Sequence, residues 1–183
     1  MLKNSQKQYG LISIALHWIV AVAIIGMFAL GLYMTSLDYY DPNYQKLPNI
    51  HQSIGILLLM VIVIRIGWLI YSPKPYSISS HSRFERITGK AVHLLLYVFT
   101  FLIIATGYLI STADSNPIDV FGWFKVGSVI SPFDQQADKA GAAHYYLSLI
   151  LIAIAVLHAG AALKHHFIDR DDTLRRMFYF RVC

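Results

Sequence analysis

The chain has 183 residues, of which 56% are hydrophobic and only 14% are charged, and its formal net charge is +5. Soluble globular domains carry roughly 25% charged residues, so this composition argues against a water-soluble protein. The single cysteine, Cys183, excludes an internal disulfide and any metal cluster or covalently attached cofactor that needs several cysteines.

Four apolar stretches are each long enough to cross a bilayer as a helix, which takes about 20 residues. Runs such as ILLLMVIVI show no alternation of polar and apolar positions, which favours helices over the strands of a membrane barrel. The first stretch is too long for the core of a cleaved signal peptide, and no small-residue cleavage site follows it. The sequence therefore predicts an all-α transmembrane four-helix bundle, with residues 1–183 as one domain. The spans lie at about residues 12–35, 52–71, 91–112 and 142–164.

The lysines and arginines outside the spans are distributed unequally between the two sides of the membrane. Eleven lie in the N-terminal tail, the second loop and the C-terminal tail, against three in the first and third loops. The positive-inside rule then predicts that both termini face the cytoplasm. The same asymmetry accounts for the net charge, so the predicted partner is membrane lipid and not nucleic acid. The eleven are Lys3, Lys7, Lys74, Arg83, Arg86, Lys90, Lys164, Arg170, Arg175, Arg176 and Arg181, and the three are Lys46, Lys125 and Lys139.

Each span carries two notable residues fourteen positions apart, and every such pair includes at least one histidine. Fourteen residues are two heptads, so both members face the core of a left-handed helix bundle, about 21 Å apart along the helix. In chain order the pairs are His17 with Gly31, His51 with Arg65, His93 with Gly107, and His144 with His158.

These residues sort into two depths in the membrane. The outer level holds His51 and His144 together with Gly31 and Gly107; the inner level holds His17, His93 and His158 together with Arg65. Two imidazoles from facing helices, beside glycines that admit a flat group, are typical of a haem with two histidine ligands. Two such haems need four histidine ligands, and His51, His144 and His158 supply three of them. The spacing leaves His17 and His93 as alternatives for the fourth ligand, at the inner level.

Each of these residues could instead serve a purely structural role. A lone histidine in a span often hydrogen-bonds a neighbouring helix, and glycines often serve close helix packing. Arg65 needs an anion, for which a haem propionate is suitable, or else it reaches the headgroups. None of the ten acidic residues lies in a span, which disfavours a zinc or two-metal site and a proton-coupled transporter.

The chain resembles the bacterial cytochrome b561 family over almost its full length. The matching segments are ISIALHWIVA around His17, IHQSIGILLLMVIVIR from His51 to Arg65, GKAVHLLLY around His93, AAHYYLSLILIAIAVLHAGAALKHHF from His144, and the tail IDRDDTLRRM.

The resemblance implies an inner-membrane protein with two non-covalently bound b-type haems stacked across the bilayer. It implies that His17 and His158 ligate one haem and His51 and His144 the other. His93 then lies at a haem edge, and His165 lies near a bound ubiquinone.

The predicted function is electron transfer between a periplasmic-side donor and ubiquinone. One branch of the family oxidises superoxide, although six aspartates and three lysines in the first and third loops give a net negative surface there. An alternative is a haem-containing anchor that connects a separate periplasmic redox protein or dehydrogenase to quinone. A haem-free helical scaffold is a more remote alternative.

Overall fold

The computed structural model describes residues 1–178, so that Arg181 and Cys183 lie outside the described residues. It contains four long helices: α1 (Leu11–Thr35), α2 (Lys46–Tyr71), α3 (Arg83–Ser111) and α4 (Gln136–Phe167). All four are long and apolar enough to cross a membrane. At most 17% of each apolar window is buried in the protein, which leaves most of these side chains wholly or partly exposed, as lipid contact requires. The predicted four-helix transmembrane class is confirmed.

Three helices begin several residues before the apolar spans predicted from the sequence. The largest extension is in α3, which begins at Arg83, whereas the apolar pattern predicts the span only from residue 91. The cause is a capping box: the Ser82 hydroxyl accepts a hydrogen bond from the Glu85 backbone N–H (3.2 Å), and the Glu85 carboxylate accepts one from the Ser82 N–H (2.9 Å). The polar first turns of α3 are therefore helical even though they are not apolar.

The loop between α3 and α4 contains a short antiparallel hairpin that the all-α prediction did not include. Its strands are β1 (Ile118–Val120) and β2 (Phe124–Val126), with Val120 opposite Phe124. The turn uses Gly122 at a φ of +73°, and the Asp119 carboxylate accepts the Gly122 N–H at 2.9 Å. The Ser53 hydroxyl of α2 donates to the Asp119 carbonyl at 3.0 Å, which attaches the hairpin to that helix.

The chain forms two compact units, and all four helices contribute residues to both. The first unit comprises Met1–Ala21, Val61–Tyr97 and the described residues after residue 152; the second comprises Val22–Met60 and Val98–Ile152. Ile14 and Ile62 are among the buried apolar residues of the first unit, and Leu58 and Leu151 among those of the second. The single domain over residues 1–183 stays a prediction.

A buried asparagine fixes the start of α1 in the first unit. The Asn4 side-chain oxygen accepts hydrogen bonds from the Gly10 N–H (2.8 Å) and the Ser13 hydroxyl (2.7 Å), while its backbone N–H donates to Ser72 (3.2 Å). A Cβ on Gly10 would collide with the backbone of the N-terminal segment. This network holds the first turns of α1 against the end of α2, one turn before His17.

Candidate functional site: two histidine pairs

In the second unit, His51 of α2 and His144 of α4 face each other. Their ring centres are 6.1 Å apart, with the ring planes at 71°. Two imidazoles on opposite sides of one metal ion, each bound at about 2.0 Å, have ring centres about 6 Å apart. The gap between His51 and His144 is therefore that of two ligands on opposite sides of one metal atom.

Contacts with α3 fix the ring of His144. Its Nδ1 lies 2.9 Å from the Ile103 carbonyl oxygen and 3.2 Å from the Thr106 hydroxyl. A carbonyl can only accept, so Nδ1 carries the hydrogen and Nε2 keeps its lone pair. The Nδ1 of His51 is buried and has no hydrogen-bond partner among the described residues. Both histidines thus have a ring nitrogen available for a metal.

The two glycines predicted at this level lie directly against the histidine rings. A Cβ on Gly107 would be 3.1 Å from His144 Cε1, which is tight, and one on Gly31 would be 3.5 Å from His51 Cε1, which is ordinary contact. Gly107 therefore leaves room for the His144 ring. That both glycines make room for a flat group stays a prediction. A cavity of about 200 Å³ adjoins both histidines, and its lining is otherwise mostly apolar; it includes Met27, Phe28, Ile104 and Leu151.

The first unit brings His17 of α1, His93 of α3 and His158 of α4 together. The ring centres of His17 and His158 are 6.3 Å apart, and those of His93 and His158 are 5.0 Å apart. His17 and His158 are half-buried, whereas His93 is exposed in the protein and hydrogen-bonds the Gly89 backbone.

Arg65 of α2 belongs to the same cluster. Its Nε donates to the Tyr97 hydroxyl at 2.8 Å, Nη1 lies 3.4 Å from the Ser13 carbonyl, and Nη2 lies 3.3 Å from His17 Nδ1. No carboxylate of the described residues forms an ion pair with it. Because arginine only donates, this contact places a lone pair on His17 Nδ1 and the hydrogen on Nε2. Metal binding through Nε2 requires the opposite tautomer, in which Arg65 no longer donates to His17.

His165, at the end of α4, lies in a separate group of charged side chains. Its Nδ1 is 2.8 Å from Asp169 and 3.1 Å from Asp171, and His81 Nε2 is 2.9 Å from the same Asp171 oxygen. Burial alone would raise the pKa of Asp171, but hydrogen bonds from Thr173 and His81 lower it to about 2. His81 and Asp171 could not be singled out from the sequence, because neither belongs to a helical stripe.

Comparison with known proteins gives consistent matches over most of the chain. A family model for prokaryotic cytochrome b561 matches residues 8–180. Cytochrome b561 homolog 2 of Escherichia coli (strain K12) is 51% identical over 174 residues, which is 95% of this chain and 93% of that protein. The probable superoxide oxidase CybB of Yersinia pestis is 28% identical over 172 residues (93% of this chain, 96% of that protein), and cytochrome b561 homolog 1 of E. coli is 25% identical over 164 residues (90% and 93%).

Proposed function

The chain belongs to the prokaryotic cytochrome b561 family, and we propose that it carries single electrons between a donor at the periplasmic face and ubiquinone through two b-type haems. Membrane electron transfer is the coarse function that this membership establishes, and it implies b-type haem in a multi-pass membrane protein. The number of haems, their ligands, the donor, the acceptor and the cytoplasmic position of both termini belong to the proposal.

The main support for the proposal is the spacing of two histidine pairs. Ring centres 6.1 Å apart for His51–His144 and 6.3 Å apart for His17–His158 both suit one iron held between two imidazoles. The cavity beside the first of these pairs is lined mostly by apolar side chains, as a porphyrin site needs to be. A haem with two histidine ligands takes up and releases one electron without an open coordination position.

The same spacing favours His17 over His93 as the fourth ligand. The 5.0 Å between the His93 and His158 ring centres is too short for two rings bound on opposite sides of one metal atom. We place His93 at the edge of the haem that His17 and His158 hold.

The remaining polar groups orient the ligands and balance charge. The Ile103 carbonyl and the Thr106 hydroxyl hold His144 with Nε2 directed away from α3. Arg65 is a half-buried cation that bonds only to neutral groups among the described residues, so a haem propionate would supply the missing anion. Pairing with a propionate would also release His17 Nδ1, which permits the tautomer that ligation needs.

For the donor, the likeness to a probable superoxide oxidase supports superoxide. For the acceptor, we propose that His165 hydrogen-bonds a ubiquinone carbonyl through Nε2. Its Nδ1 lies 2.8 Å from Asp169 and 3.1 Å from Asp171, so Nε2 is the nitrogen left for a ligand.

A haem count with a redox titration of the purified protein tests the haem proposal. We expect two equivalents of haem b per chain, and a spectrum without haem bands at full purity would leave only the helical scaffold. Superoxide is then supplied with a ubiquinone analogue, and we expect quinone reduction faster than the spontaneous reaction. Two haems without that acceleration would exclude superoxide while keeping the electron carrier.

The anchor for a separate redox protein remains a second candidate because of the loop between α3 and α4. Trp123 and Val129 of this loop are 72% and 83% exposed, and the loop carries three of the six aspartates of the predicted outer surface. Exposed apolar side chains among acids suit a protein partner. Copurification of a stoichiometric redox subunit, together with no response to superoxide, would favour this function.

A further inference from the structure

A group of metal-ligating side chains lies outside both histidine pairs, in the first unit. His81 comes from the connection before α3, His165 from the end of α4, and Asp171 from the tail that follows α4. One ligand atom from each lies within 4.8 Å of the other two. The side chains are only 16%, 13% and 7% exposed, so this is a largely buried cluster rather than a set of surface charges.

The distances within the cluster are close to those of a metal site. Tetrahedral zinc binds imidazole nitrogen at about 2.0–2.1 Å, which separates neighbouring ligand atoms by about 3.3 Å. Asp171 Oδ2 lies 2.9 Å from His81 Nε2 and 3.1 Å from His165 Nδ1. Both contacts of Asp171 Oδ2 are therefore within a few tenths of an ångström of the separation between two zinc ligands. Asp169 Oδ2, 2.8 Å from the same His165 nitrogen, is in position to be a fourth ligand.

The contacts of His165 favour an ion over a plain hydrogen-bond network. Its Nδ1 is buried and forms no hydrogen bond among the described residues, although two carboxylate oxygens lie within 3.1 Å of it. The carboxylates thus surround this nitrogen without accepting from it, as ligands around a shared cation do. The rings of His81 and His165 lie 4.5 Å apart and only 33° from parallel, with a nitrogen of each near the same Asp171 oxygen.

We propose that His81 Nε2, His165 Nδ1 and Asp171 Oδ2 bind a divalent transition-metal ion of the zinc class. Two imidazoles and a carboxylate are ligands that Zn²⁺ accepts readily in a four-coordinate site. The ion joins the α2–α3 connection to the segment after α4 and takes no part in redox chemistry. It leaves His165 Nε2 free, so the site does not depend on the quinone assignment or on the haems.

Zinc binding to the purified, haem-loaded protein tests this proposal. The protein is treated with EDTA, dialysed and titrated with Zn²⁺ in a calorimeter, with the haem spectrum recorded throughout. We expect one saturable equivalent per chain, a higher Tm with zinc, and an unchanged haem spectrum. His81→Ala and Asp171→Asn should both abolish this equivalent while keeping two haems.

Matched controls are His166→Ala and Asp172→Asn, which change the adjacent histidine and the adjacent acid and should bind zinc as the wild type does. Wild-type protein that binds less than one equivalent overturns the site, whatever the variants do. The proposed site is also overturned if His81→Ala still binds one equivalent of zinc, or if the two controls lose it. If Asp171→Asn does not fold, zinc binding by the wild type and by His81→Ala still tests the site. A loss of zinc with two haems retained, or the reverse, separates this proposal from the electron-transfer function.

Discussion

The two histidine pairs have nearly the same ring separation but different surroundings. His144 donates from Nδ1 to a backbone carbonyl, so its ring already has the tautomer that a metal needs. His17 instead has an arginine nitrogen 3.3 Å from its Nδ1. The His51–His144 site is thus oriented by a neutral backbone carbonyl, whereas the His17–His158 site contains the guanidinium cation of Arg65.

These surroundings would allow one helix bundle to give two similar haems different potentials. A hydrogen bond to a carbonyl makes the ligating imidazole a better electron donor, which favours the ferric state. A nearby guanidinium disfavours the ferric state because ferric haem carries the additional positive charge. We therefore expect the His17–His158 haem to have the higher potential and to be reduced first in a titration.

The largest effect should come from removing a ligand. We expect His144→Ala to reduce the haem content from two to one per chain by emptying only the His51–His144 site, and His158→Ala to empty only the other. The measurement is the haem-to-protein ratio, with the potential of the remaining haem showing which one was lost. His166→Ala should keep both haems. Loss of both haems from a folded His144→Ala variant would contradict two independent sites.

An equally large change in haem content should show whether His17 or His93 is the fourth ligand. We expect His17→Ala to leave one haem and His93→Ala to leave two, because only His17 has the ring spacing to His158 that suits a shared iron. The same haem count measures this, and EPR of the oxidised protein shows whether both remaining ligands are imidazoles. One haem in His93→Ala and two in His17→Ala would reverse the assignment.

Features that depend on helical periodicity were predictable from the sequence, whereas features that depend on side-chain contact were not. The fourteen-residue spacing grouped His51 with His144, and His17 with His93 and His158, because helix geometry makes the face of a residue calculable from its number. It could not choose between His17 and His93, since the choice depends on a difference of 1.3 Å between ring separations of 6.3 and 5.0 Å. The capping box Ser82–Glu85 was visible as an S-x-x-E pattern, but the apolar spans set the predicted boundary. The His81–Asp171 contact joins residues 90 positions apart without any shared period.

A smaller effect should come from the glycines that face the rings. A Cβ at residue 107 would lie 3.1 Å from His144 Cε1, so Gly107→Ala must displace the imidazole or α3, at a cost of roughly 1–3 kcal/mol. We expect a partial loss of the His51–His144 haem and weaker retention on dilution. Gly31→Ala is the matched control, because its Cβ would lie at an ordinary 3.5 Å from His51. Equal haem loss in both variants would mean that helix packing, and not the contact with the ring, limits these positions.

The smallest effect concerns the cation that distinguishes the two sites. Arg65→Gln keeps a hydrogen-bond donor for Tyr97 and removes the charge, so we expect both haems to bind and the His17–His158 haem to become harder to reduce. The expected fall in its potential is on the order of 50 mV, equivalent to about 1 kcal/mol for one electron. Arg65→Lys should restore most of the potential if charge is the cause, and little of it if the guanidinium geometry is. A redox titration that resolves the two haems measures this, with the His51–His144 haem as the internal reference. If Arg65→Gln shifts neither potential, the cation does not face the haem, and the asymmetry between the pairs must come from the backbone carbonyl at His144 alone.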